Sequence, residues 1–102
     1  MFNLEDWLME DLKRLPEDRE RLEASQNPLE REWLQRHIRD MDSLLDQLTE
    51  LERELIQRLV INHEKVSVLV NETGYIAKEL YGMRSDAIFK LLSLRFGAGY
   101  KP

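Results

Sequence analysis

Apolar residues recur along the chain at steps of three and four, the spacing that places side chains on one face of an α-helix. The clearest series runs from residue 28 to residue 62, after Asn27 and Pro28, which suit the N-cap and first turn of a helix. We predict one long helix here, about 50 Å in length at about 1.5 Å per residue. Its apolar positions are Leu34, Ile38, Met41, Leu45, Leu48, Leu55 and Leu59.

These seven residues, called the seam below, extend over about four heptads, a pattern typical of coiled coils. A helix with such a seam must bury it against a partner. We expect a second copy of the chain to cover most of the seam, so that residues 28–62 form an oligomerisation helix in a homo-oligomer. The alternative is an intramolecular helical hairpin without an oligomer.

Residues 1–27 form an N-terminal helical segment. Asn3 is suited to cap its first helix, which carries Leu8, Leu12 and Leu15 at helical spacing. Because the residue before a proline disfavours the α region, we expect Pro16 to end this helix and to begin a short second one that reaches about residue 24.

The third segment, residues 63–102, has the pattern of a helix-turn-helix followed by a short tail. A short helix begins at Val66 and ends at Gly74, which suits the left-handed position after a helix. A final helix follows from about residue 76 to residue 96, and Leu69, Leu80 and Met83 are placed to hold the two helices together. The predicted fold is therefore all-α, with N-terminal helices, a long coiled-coil-like helix and a C-terminal helix-turn-helix.

The free face of the final helix carries small polar and basic side chains that suit double-stranded DNA. Gly82, in mid-helix, costs about 1 kcal/mol relative to alanine, which close approach to DNA or packing against another helix would justify. Although the net charge is −5, residues 61–102 hold 6 Lys/Arg and 4 Asp/Glu, against 9 and 16 in residues 1–60. The predicted DNA-binding residues are Lys65, Ala77, Lys78, Tyr81, Gly82, Arg84, Ser85 and Lys90.

The segments Glu72–Tyr75, Leu80–Arg84 and Ala87–Leu91, preceded by Glu52–Ile56, resemble the end of sigma-factor region 4-like domains. They most resemble small phage transcriptional regulators of the ArpU and RinA type, and the resemblance covers roughly residues 48–95. It implies a DNA-binding regulator of late phage or prophage genes. The chain departs from the family pattern at Ile76, where a serine or threonine often caps the recognition helix.

Composition argues against other classes. The chain has no cysteine and 2 histidines, and its serines have no neighbouring base at a recognisable spacing, so we expect no enzyme, no metal site and no cofactor. We expect His37 to lie on a charged helix surface. No apolar run suits a membrane span or signal peptide, and we expect a cytoplasmic protein. The alternative functions are an adapter or anti-regulator whose seam binds a host transcription protein, and a terminase-like assembly subunit.

Overall fold

The structure is a computed structural model that describes residues 3–97. Its elements are α1 (Leu4–Ala24), α2 (Pro28–Asp46), α3 (Glu50–Leu55), which continues as a π-helix (Ile56–Ile61), α4 (Val66–Thr73) and α5 (Ala77–Phe96). The all-α prediction is confirmed, and the described part of the chain has no strand. None of the helices in that part is long and apolar enough to cross a bilayer.

The N-terminal segment is one helix, and the predicted break at Pro16 is wrong. A proline inside a helix removes one hydrogen bond and costs about 3 kcal/mol. Pro16 itself is exposed, while Leu12, Leu15 and Asp18 on either side of it are buried. Burial of the same helix face before and after Pro16 offsets its cost and keeps α1 continuous.

The predicted long helix over residues 28–62 is also wrong, because the chain turns after Asp46. Thr49 begins a new helix with a capping box: its Oγ1 accepts from the Glu52 backbone N–H at 3.2 Å, and Glu52 Oε1 accepts from the Thr49 N–H at 2.9 Å. A threonine followed three residues later by glutamate is a strong helix-start signal. This local signal outweighs the continuous apolar pattern, so no coiled-coil-like helix forms here.

The helices pack around two clusters of apolar side chains. The large core combines α1, α2, the π-helix and the second half of α5. The small core joins α3 and the π-helix to α4 and the first half of α5 through Leu55, Leu59, Leu69 and Leu80. Consecutive residues of the π-helix point to different cores, with Leu59 in the small core and Val60 in the large one.

All seven seam residues are buried inside this one chain, with exposures from 0% to 9%. Leu34 to Leu48 lie in the large core, while Leu55 and Leu59 lie in the small core. The burial predicted for the seam is therefore present, but other helices of the same chain, chiefly α1, α4 and α5, provide it in place of a second copy. This removes the reason for assigning the seam to oligomerisation, while the homo-oligomer itself stays a prediction.

Candidate nucleic-acid interface

The connection between α4 and α5 is a three-residue turn that begins with a left-handed glycine. Gly74 has φ +80°, as predicted, and its N–H donates to the Val70 carbonyl at 3.0 Å. Thr73 Oγ1 donates to the Leu69 carbonyl at 2.6 Å and accepts from the Tyr75 N–H at 3.2 Å. These bonds satisfy the backbone at the end of α4 and fix the direction in which the chain enters α5.

At the start of α5, the N-cap residue has no side-chain oxygen, and a glutamate in the first turn accepts from its backbone N–H. Ile76 occupies the N-cap position and has no oxygen to offer, but its own N–H donates to Glu79 Oε1 at 3.2 Å. The Glu79 carboxylate also lies in the first turn, where it interacts favourably with the helix dipole. The departure at Ile76 from the resembled pattern is therefore compatible with a well-formed helix start.

Contacts in the small core hold α4 against α5. Leu69 and Leu80 are 1% and 0% exposed, and Met83 packs beside them, so the three residues predicted to join the helices lie in one cluster. Leu55 and Leu59 close the cluster from the other side. The helix pair therefore rests on the end of the α3–π-helix segment, which leaves one side of α5 free.

The free side of α5 presents four of the eight predicted DNA-binding residues. Lys78, Tyr81, Gly82 and Ser85 are exposed, whereas Ala77 and Arg84 are half-buried. Arg84 lies with its guanidinium carbon 5.3 Å from the centre of the Tyr81 ring, a cation–π arrangement that restrains this half-buried side chain. Lys65 is exposed immediately before α4.

Basic residues near this face differ in their pairing. Three of these residues form no ion pair within residues 3–97, namely Lys65, Lys78 and Arg84. The two lysines are exposed and available to an external anion, whereas Arg84 is half-buried with its Nε atom buried. Lys90, by contrast, lies with Nζ 3.3 Å from Glu52 Oε1. Hydrogen bonds from the Thr49 backbone, together with this lysine, lower the pKa of Glu52. A DNA contact by Lys90 would have to compete with that pair.

Gly82 has open space where a side chain would be. A Cβ built at this position meets no atom of the described chain within 4 Å. The glycine is therefore not needed for packing against another helix of the same chain, which was one of its two predicted explanations. Gly82 is exposed on α5, and close approach to DNA, the other predicted explanation, stays a prediction.

An arginine on the π-helix fixes α4 to the rest of the chain, a feature that sequence reasoning missed. Arg58 donates to both Glu64 oxygens through Nε, at 3.2 and 3.1 Å, and its Nη atoms donate to Glu72 near the end of α4. These bonds raise the pKa of Arg58 and lower the pKa values of Glu72 and Glu64. The set, called the Arg58 junction below, spans the turn in which His63 adopts φ 55°.

A second missed feature is a buried polar cluster where α1, α2 and α5 meet. His37 is 13% exposed at its side chain, so its expected place on a charged surface is wrong. Its Nε2 lies 3.7 Å from Asp18 Oδ2 and 4.0 Å from Asp11 Oδ1. Arg95 Nη2 lies 2.6 Å from Asp11 Oδ2, and the Trp33 ring stacks on His37 at 5.0 Å. These contacts join three helices whose residues are far apart in sequence.

The cluster gives no indication of metal chemistry. Within the described range, no group of three histidine, aspartate or glutamate side chains is placed to hold a metal ion. Arg95 also supplies a positive charge beside Asp11, where a cation would otherwise bind. We interpret the cluster as an electrostatic connection between helices.

Comparison with known proteins adds no assignment. No protein-family model, curated protein or solved structure matches the chain. The function of the chain is therefore inferred from the residues and geometry described above.

Proposed function

We propose that the protein is a non-enzymatic, DNA-binding transcription regulator in which α4, the turn at Gly74 and α5 act as a helix-turn-helix. The observation that carries the proposal is the outer face of α5. Lys78, Tyr81 and Gly82 are exposed there, and the half-buried Arg84 lies beside the Tyr81 ring. Neither Lys78 nor Arg84 has a carboxylate partner in residues 3–97. In a helix-turn-helix, the second helix lies in the major groove and uses such residues to contact phosphates and base edges.

Pairing within the chain reduces the acidic character of this unit. Glu72 is engaged by Arg58, and Glu79 accepts the Ile76 N–H. The Arg58 charge offsets that of Glu72, whereas Glu79 keeps its charge and Asp86 forms no ion pair within residues 3–97. The excess of acidic residues belongs to residues 1–60. Electrostatic steering would therefore favour an orientation with α5 towards the duplex.

The resemblance to ArpU- and RinA-type regulators supports a phage or prophage role for this function. Helix-turn-helix proteins commonly bind two half-sites as dimers, and we propose self-association through a surface other than the seam. An adapter that binds a host transcription protein along the seam is the weaker proposal, because the seam is already covered within the chain. Sedimentation equilibrium measures the association directly.

The test is binding of the purified protein to mixed-sequence duplex DNA over a series of salt concentrations. We expect affinity to fall steeply with salt, and the double variant Lys78→Ala/Arg84→Ala to lose most binding. If both side chains contact phosphate, the slope of log affinity against log salt decreases by about two. Circular dichroism establishes that the variant is folded.

The matched control is Lys13→Ala/Arg39→Ala. It removes the same charge from exposed positions on α1 and α2 that form no ion pair in the described part of the chain. We expect it to bind nearly as well as wild type. Absence of binding at low salt by the folded protein, or equal losses in both double variants, contradicts the proposal.

A further inference from the structure

A groove lies between the first turn of α1 and the middle of α5, with a volume of about 330 Å³. Such a volume is at the small end of the range for ligand pockets, and it suits an anchoring side chain better than a large cofactor. The lining of the groove includes neither Lys78 nor Arg84, but it includes Ser85, which is one of the predicted DNA-binding residues. Its lining residues are Glu5, Ser85, Asp86, Ile88, Phe89 and Leu92.

The apolar part of the groove consists of three residues on α5. Ile88 and Leu92 are 6% and 2% exposed and belong to the large core, so they form a fixed floor. Phe89 is 46% exposed and is not part of either core. A large, half-exposed aromatic side chain beside an apolar surface is the type of residue that anchors protein–protein contacts.

The rim of the groove is acidic, and its charges have no ion-pair partner among residues 3–97. Glu5 comes from α1 and Asp86 from α5, and neither forms an ion pair within residues 3–97. Two free carboxylates around an apolar floor repel phosphate and attract cations. The charge of the groove is therefore complementary to a basic segment and unfavourable for nucleic acid.

We propose that this groove binds a short amphipathic helix of a partner protein. An apolar side chain of that helix packs against Phe89, and lysine or arginine residues beside it pair with Glu5 and Asp86. Helix-in-groove recognition commonly uses anchors of this kind at helical spacing. This inference does not depend on DNA binding, since no lining residue except Ser85 belongs to the face proposed to contact DNA.

The experiment follows backbone amide chemical shifts of the ¹⁵N-labelled full chain during titration with a synthetic peptide. The probe is an amidated helical peptide of about four turns, with leucines at steps of three and four and lysines beside them. A second peptide carries glutamate at every lysine position. We expect the lysine peptide to cause saturable shifts centred on residue 5 and residues 85–92, and the glutamate peptide to cause none there.

Two substitutions separate the apolar and charged contributions. We expect Phe89→Ala to weaken binding about tenfold, as for loss of an aromatic anchor. We expect Asp86→Lys to weaken binding of the lysine peptide and to permit binding of the glutamate peptide. Glu20→Lys makes the same charge change at an exposed, unpaired position of α1 and should leave the affinity within about twofold.

Three results would overturn the proposal. The first is a set of shifts spread over the acidic faces of α1 and α2. The second is an unchanged affinity in Phe89→Ala. The third is a set of groove shifts that depend on protein concentration without any peptide, because that result assigns the groove to a second copy of the chain.

Discussion

Replacement of Gly82 by alanine has opposite expected effects on stability and on binding. In the interior of an exposed helix, alanine is more favourable than glycine by about 0.8–1.0 kcal/mol. The added methyl group of Gly82→Ala meets no atom of the described chain within 4 Å, so no clash offsets that gain. We therefore expect the free energy of unfolding to increase by about 1 kcal/mol. For a domain of this size, the melting temperature should rise by roughly 4–8 °C.

Binding to DNA should weaken in the same variant. If the backbone of α5 closely approaches the duplex at this position, the methyl group occupies space that the DNA requires. Overpacking of this kind costs about 1–2 kcal/mol, which corresponds to a roughly five- to thirtyfold loss of affinity. The loss of DNA affinity should be greatest at high salt concentration, where non-specific phosphate contacts are weakened and close contacts to the duplex dominate.

The assay combines urea unfolding with fluorescence anisotropy on labelled duplex DNA. Ser43→Ala is the control, because Ser43 is exposed on α2 and alanine there should also stabilise the fold modestly. It should leave DNA affinity unchanged. A less stable Gly82→Ala protein would refute the packing argument, and unchanged affinity would refute the assignment of this α5 face to DNA.

Three other substitutions test the architecture. Thr49→Ala should lower the free energy of unfolding by about 1 kcal/mol through loss of the α3 cap, whereas Thr49→Ser should retain most of it, as urea unfolding will measure. At the Arg58 junction, the pKa values of Glu64 and Glu72 are lower in the folded state than the usual 4.5, because Arg58 stabilises their charged forms. The resulting stabilisation of the fold is complete above about pH 4.5 and is lost as the pH falls through the lowered folded-state pKa values. The melting temperature of Arg58→Gln should therefore decrease less than that of wild type between pH 5 and pH 3, and parallel curves would contradict this reasoning. Arg95→Ala should cost about 3 kcal/mol at neutral pH because it leaves the buried Asp11 without its nearest cation, and a loss below about 1 kcal/mol would show that the pair is not important for stability.

The sequence pattern predicts which faces are buried more reliably than it predicts what covers them. Periodicity correctly marks the seam residues from Leu34 to Leu59 as buried, because it reports the face of a helix that avoids water. It carries no information on whether the covering helix belongs to the same chain. The glycine at position 74 is predicted correctly for a local reason, since its left-handed conformation depends on few other residues.

The errors come from competition between local signals and tertiary packing. At Pro16, burial on both sides outweighs a strong local helix breaker. At Thr49, a short capping signal outweighs an apolar pattern that continues through it. The His37 cluster and the Arg58 junction connect residues distant along the chain, and one sequence does not reveal such pairs. Four predicted DNA-binding residues on α5 are exposed and three are half-buried, and the ligand of this face is the subject of the proposals above.

The position of α5 in both hydrophobic cores has a consequence for hydrogen exchange. Leu80 belongs to the small core, whereas Leu91 and Leu92 belong to the large one. Amides of α4 can exchange through a local opening that disrupts the small core alone. Amides in the middle of α5 become accessible when both cores open, so their protection reports the global free energy of unfolding. A ligand on the outer face of α5 would consequently slow exchange in the large core, without contacting it, by stabilising the native state as a whole.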